Sequence, residues 1–188
     1  MADLSLESIE GTIFEDYDTV IFDLDRTIWD CFKPDGTGIG AFMMCAPLKL
    51  QSSDTVVDLY GNICKTQAGI RKVLELLDRS NKNLGIVSSG EKRNTPFQAQ
   101  PSTMLLKKFD LYGYFNHEIV LKEGIDKAQY VKPKGKTLFI DDSQEQVQAV
   151  NEKGEVDVVY RTSFQSWEQT LIKKQAQLAL QFFHTGAK

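Results

Sequence analysis

Two carboxylates and a hydroxyl arrive together in the stretch Thr19-Val20-Ile21-Phe22-Asp23-Leu24-Asp25-Arg26-Thr27-Ile28-Trp29. Asp23 and Asp25 are two residues apart, which on a regular strand places them on one face and Leu24 on the other. Such a pair at the carboxyl end of an apolar strand suits a divalent cation and a phosphate. One carboxylate can ligate metal and attack phosphorus, while the other holds or delivers a proton. The plain alternative is a solvated acidic strand end, so the rest of the chain has to supply the context.

Two further strand ends supply it. Leu84-Gly85-Ile86-Val87 leads into Ser88-Ser89-Gly90, where hydroxyls and flexible backbone amides suit a phosphate. Thr137-Leu138-Phe139-Ile140 leads into Asp141-Asp142-Ser143, a second acidic pair. Parallel strands bring their carboxyl ends to one edge of a sheet, so these oxygens can converge on a small cation.

Asp-x-Asp-x-Thr after an apolar strand resembles motif I of the haloacid dehalogenase (HAD) superfamily, whose phosphatases form an aspartyl-phosphate intermediate. Ser88 stands in the phosphate-binding place of motif II, beside Ser89, and Asp141 and Asp142 stand in that of motif IV. The resemblance runs from about Val20 to Tyr160. It implies that Asp23 is the nucleophile and that Asp25 is the general acid and base, with its backbone carbonyl on magnesium. Thr27 helps position the site, Ser88 and Ser89 hold phosphate with a lysine, and Asp23, Asp25, Asp141 and Asp142 form the metal shell. Arg26 occupies a tolerant position.

Two lysines compete for motif III. Lys127 follows Asp126, a suitable N-cap, and precedes the apolar pair Ala128 and Val131; Lys122 lies directly at a strand end. Lys127 is preferred. The phrase Phe109-Asp110-Leu111-Tyr112-Gly113-Tyr114-Phe115, with Trp29, resembles the magnesium-dependent, acid-phosphatase-like branch of the superfamily. Carboxylate, carbonyl and water ligands without a His or Cys cluster favour Mg2+ over zinc. The rival readings are acyl transfer of a phosphorylated glycerate to a carrier-protein thiol, and a non-catalytic binding module on the same fold.

Composition narrows the setting. The 188 residues carry a net charge of −4, with 41% hydrophobic and 26% charged residues, which suits one soluble domain and gives no general attraction to nucleic acid. Cys31, Cys45 and Cys64 are odd in number and widely spaced, which argues against a disulfide framework or structural zinc and for a reducing cytoplasm. The N-terminal residues do not read as a signal peptide, and no apolar run reaches membrane-spanning length. His117 and His184 are isolated and receive no role.

The elements that must position these residues alternate in type. Strands are expected at Val20 to Phe22, Leu84 to Val87, His117 to Leu121, Thr137 to Ile140 and Val156 to Tyr160. Amphipathic helices are expected between Lys65 and Ser80, from Met104 to Phe109, and from a capping-box-like start at Ser143 and Gln146 through Val147 and Val150, with a terminal helix through Trp167, Leu171, Leu178 and Phe182. Residues 1 to about 17 read as a helical or irregular lead-in. The expected fold is α/β, a three-layer α/β/α Rossmann-like core with a mainly parallel sheet, forming one domain over residues 1–188. Residues 30–65 read as a loop with a hairpin, either a surface loop over a satellite apolar cluster or a substrate-contacting flap, and the resemblance implies a small cap insertion there; the Phe42-Met43-Met44 patch is an interface if exposed. The expected partner is a phosphorylated substrate, whether a small molecule, a phosphoprotein or a nucleic-acid end. The loops around 30–65 and 91–103 are expected to select among them.

Overall fold

The computed structural model describes residues 8–89, 100–117, 119–122, 124–162 and 166–171. In chain order the elements are β1 (Thr19–Phe22), β2 (Trp29–Phe32), β3 (Gly38–Ile39), β4 (Lys49–Ser52), β5 (Thr55–Val57), β6 (Ile63–Thr66), α1 (Ile70–Arg79), β7 (Asn83–Ser89), α2 (Pro101–Lys108), β8 (Ile119–Lys122), β9 (Thr137–Asp141), α3 (Gln144–Lys153), β10 (Asp157–Tyr160) and α4 (Trp167–Leu171). They form two five-stranded sheets.

The first sheet runs β10-β9-β1-β7-β8, and every neighbouring pair in it is parallel. β1 lies at its centre, as its apolar and non-alternating sequence demands of a strand covered on both faces. Alternation then divides its side chains between two apolar clusters. Val20 and Phe22 join Leu84, Ile86, Leu138 and Ile140 against α1 and α2 on one face. Ile21 joins Val87, Val120 and Phe139 against α3 on the other. These are the three expected layers.

Helix α1 buries Ile70, Val73, Leu74 and Leu77, the stripe that its sequence periodicity predicts. Ser143 caps α3, its hydroxyl accepting from the Gln146 N–H at 3.4 Å. This cap turns the chain sharply out of β9 just after Asp141 and Asp142.

The insertion departs from expectation. Residues 29–66 are not a loop with a hairpin but the second sheet, in the order β3-β2-β6-β5-β4, with antiparallel pairing throughout. Its strands are two to four residues long and carry Gly, Lys, Asp and Ser, so no hydrophobic period announces them. Of the Phe42-Met43-Met44 patch, Phe42 and Met43 are exposed and Met44 is buried.

The cysteines require a second correction. Cys31 and Cys64 face each other in the β2–β6 register and are disulfide-bonded, both buried, while Cys45 is free. The two lie 33 residues apart, and only strand pairing brings them together. A disulfide belongs more naturally to an oxidising compartment, so cysteine usage no longer supports a cytoplasmic setting.

Residues 8–17 form turns and one bridge, the irregular form of the lead-in. Leu178, Phe182 and His184 lie outside the described residues, as do most of the 91–103 loop and Gly90. Among the described residues no helix is long and apolar enough to cross a membrane.

Candidate active site

Asp23 continues the β1 ladder by one bond, its N–H donating to the Ile140 carbonyl at 2.9 Å. The chain then wraps around a single acceptor. The Leu24 carbonyl receives the N–H groups of Thr27, Ile28 and Trp29 at 3.2, 2.7 and 3.3 Å. Closing so tight a turn puts Arg26 in the left-handed region at φ 61°, uncommon for a residue with a side chain. The turn holds Asp25 beside the sheet edge. There Asp25 accepts from the Trp29 indole Nε1–H at 2.9 Å and from the Ala41 N–H at 3.1 Å.

Opposite stands Lys127, in a short 3-10 turn that Asp126 caps through the Ala128 N–H. The Lys127 ammonium lies 2.6 Å from Asp23 Oδ1 and 2.7 Å from Asp141 Oδ2, and all three side chains are buried. Its main-chain N–H donates to Gln146 Oε1 at 3.0 Å. Of the two sequence candidates, Lys127 is the one brought to Asp23; the backbone of Lys122 ends β8 opposite Ser89. Asp141 Oδ1 accepts from the Ser143 N–H at 2.8 Å, and Asp142 Oδ2 lies 3.5 Å from Arg26 Nη1.

These groups border a cavity of about 360 Å³. Asp23, Asp25, Arg26, Lys127 and Asp142 line it from the parallel sheet, together with Ser89, Ser143 and Gln146. Gly38, Ile39, Gly40 and Phe42 line it from the antiparallel sheet. Ser88 is buried and is not part of the wall, because β7 runs two residues further than expected and alternation gives the cavity to Ser89. Thr27 is fully buried away from the wall, and its hydroxyl has no hydrogen-bond partner among the described residues. Arg26, Gln146 and the Gly38–Phe42 segment are additions to the sequence-derived set. Arg26 sits inside the motif and was the most findable of them.

The charges are unbalanced. Asp23, Asp141 and Asp142 bring carboxylate oxygens within 4.8 Å of one another, facing the buried ammonium of Lys127 and, beside Asp142, the exposed guanidinium of Arg26. Burial pushes Asp141 up to about 7, with the Asp23 charge adding to the shift and Lys127 opposing it. Burial and Asp23 also raise Asp142, against Arg26. Burial alone would lower Lys127, but Asp23 and Asp141 hold it above its ordinary value, so it stays charged. Asp25 is pushed up to about 6 by burial and the Asp23 charge, while the Trp29 and Ala41 donors pull it down. Surplus buried negative charge on oxygen ligands fits a hard divalent cation.

The sequence profile of the Acid Phosphatase family matches residues 17–170. No curated protein matches the chain. Among solved structures, a HAD-superfamily hydrolase from Ehrlichia chaffeensis is similar with a TM-score of 0.53 at 15% identity, covering 89% of this chain and 98% of that one. A candidate phosphatase from Clostridium difficile is similar with a TM-score of 0.50 at 19% identity, covering 83% and 92%. Likeness at these identities speaks for the fold.

Proposed function

The chain belongs to the Acid Phosphatase family of the HAD superfamily and is a hydrolase of phosphoric monoesters, and from that premise we propose that it works through an aspartyl-phosphate on Asp23. One observation carries the reading: Lys127 holds Asp23 Oδ1 at 2.6 Å, which leaves Oδ2 for in-line attack. In the first step the Asp23 oxygen bonds to phosphorus, the ester P–O bond breaks, and Asp25 gives its proton to the leaving oxygen. In the second, Asp25 takes a proton from water, the water oxygen bonds to phosphorus, and the bond to Asp23 breaks to release phosphate. A carboxyl pushed up to about 6 is suited to both directions of that transfer. Lys127 would also meet the phosphate oxygens, with Ser89, which likewise lines the cavity.

The donor set fits Mg2+. Asp23, Asp141, Asp142 and the backbone carbonyl of Asp25 would hold it, the three carboxylates offering oxygens within 4.8 Å of one another. When bound, the ion screens repulsion between carboxylate and phosphate and orients in-line attack. The sheet of residues 29–66 acts as a small cap, because its Gly38–Phe42 segment forms one wall of the cavity.

Hydrolysis of para-nitrophenyl phosphate by wild type and Asp23→Asn, with and without magnesium, tests the proposal. The expected result is turnover that needs the metal and disappears in a folded variant. Turnover that survives excess EDTA, or that survives in Asp23→Asn, refutes it.

A further inference from the structure

Beside the turn that carries Asp25 lies a second group of polar side chains that the chemistry above does not use and that does not line the cavity. Arg161 follows β10 and is fully buried. Its main-chain N–H donates to the Asp141 carbonyl at 2.9 Å. Its guanidinium Nη1 donates to the Arg26 carbonyl at 2.8 Å, and Nη2 donates to Gln67 Oε1 at 3.3 Å. The guanidinium lies 4.7 Å from the centre of the Trp167 ring. Trp167 in turn donates its indole Nε1–H to the Thr27 carbonyl at 3.1 Å. The carbonyls of two successive residues in the catalytic turn are therefore each met by a side-chain donor from the last described part of the chain.

The turn needs such support. Arg26 stands at φ 61°, and a non-glycine residue stays in that region only where its surroundings over-determine it. On one side the Leu24 carbonyl gathers three N–H groups; on the other, Arg161 and Trp167 hold the Arg26 and Thr27 carbonyls. Burying a guanidinium is costly, and here it reaches Asp30 and Asp142 through their charges and the Arg26 carbonyl through a direct bond. Because its own N–H binds Asp141, Arg161 ties together the two acidic strand ends that flank the cavity.

We propose that Arg161, seconded by Trp167, is a positioning residue: it holds the Arg26 and Thr27 carbonyls so that Asp25 stays aimed into the cavity. This rests on the reading of Asp25 as acid and base, and the test separates the two. Trp29 is one of only two tryptophans, and its indole N–H donates directly to Asp25 Oδ1. Its resonance in a 15N-labelled sample, assigned with Trp29→Phe, therefore reports the position of Asp25 without turnover.

In Arg161→Ala the Trp29 indole resonance should shift or broaden. The kcat for para-nitrophenyl phosphate should fall about 100-fold, with KM changed less than about 3-fold, and added guanidinium ion should restore part of the loss. A folded Arg161→Ala with an unmoved Trp29 resonance overturns the proposal, as does a kcat equal to wild type. If Arg161→Ala does not fold, Trp167→Phe keeps an aromatic ring and removes the bond to Thr27; a shifted Trp29 resonance supports the proposal there and an unmoved one overturns it. Wild type without turnover would sink the phosphatase mechanism and leave the resonance test standing.

Discussion

The two sheets of this molecule divide the labour of one site. The parallel sheet buries its interior strands on both faces and sends its carboxyl ends, with Asp23, Asp141 and Asp142, to one edge. The antiparallel sheet is thin, with a β4 that is exposed along its whole length, and it is stapled across β2 and β6 by the Cys31–Cys64 disulfide. It contributes no side chain to the acidic cluster. What it brings to the cavity is shape, through Gly38 to Phe42, together with the Ala41 N–H and the Trp29 indole N–H on Asp25. The clustered carboxylates thus sit at the ends of doubly covered strands, while the insertion, which shares the core beneath them, supplies one wall of the cavity and two hydrogen-bond donors to Asp25.

If that division is right, the largest losses follow changes on the parallel sheet. Asp23→Asn should lower turnover by roughly 10⁴-fold or more while the protein stays folded, measured by phosphate release against thermal unfolding. Lys127→Ala should cost on the order of 10² to 10³ in kcat. It should also destabilise the fold, because Asp23 and Asp141 lose the cation they share. Lys122→Ala should stay within a few-fold of wild type. A crippled Lys122→Ala beside a healthy Lys127→Ala would reverse the assignment.

Changes on the antiparallel sheet should be smaller and of another kind. Phe42→Ala removes a half-exposed ring from the cavity wall. The expected result is a fall of roughly 10-fold in kcat/KM, chiefly in KM, as for lost uniform binding. A fall confined to kcat would mean that the insertion takes part in the chemistry. Replacing Cys31 and Cys64 together by Ser should lower stability by about 2–4 kcal/mol and leave kcat within a few-fold, checked by denaturant unfolding with and without reductant.

The same division explains what was legible in advance. Strands buried on both faces advertise themselves as apolar runs, and a carboxylate at the end of such a run is conspicuous; hence β1, β7, β9 and the acidic pairs could be read directly. The Asp126 cap and the Ser143–Gln146 cap were readable because capping is local chemistry. The antiparallel sheet was not, since strands of two to four residues that are partly exposed carry no period. The Cys31–Cys64 pair is a property of register, and the choice between Ser88 and Ser89 turned on where β7 ends. Arg161 gave no signal at all: its contacts with Arg26, Gln67 and Trp167 exist only once the chain is folded.

The smallest expected effect tests whether the insertion tunes the acid. Asp25 is pushed up from the ordinary 3.8 to about 6 by burial and by Asp23, with Asp142 adding to the shift. A folded state that binds its proton more tightly than the unfolded chain loses stability as pH rises between those two values. The metal-free protein should therefore be more stable near pH 4 than near pH 6, by on the order of 2 kcal/mol from this group after screening. Asp141, pushed up to about 7, adds the same sign and extends the window upward. Magnesium should oppose the trend, stabilising more at pH 7 than at pH 5 because its carboxylates must be ionised. The Trp29 and Ala41 donors from the antiparallel sheet pull Asp25 down, so Trp29→Phe should carry the pH-dependent limb to higher pH in urea unfolding. A limb that stays where it was would mean that the Trp29 indole does not set the proton affinity of Asp25, and that the Ala41 N–H is the donor through which the insertion acts on it.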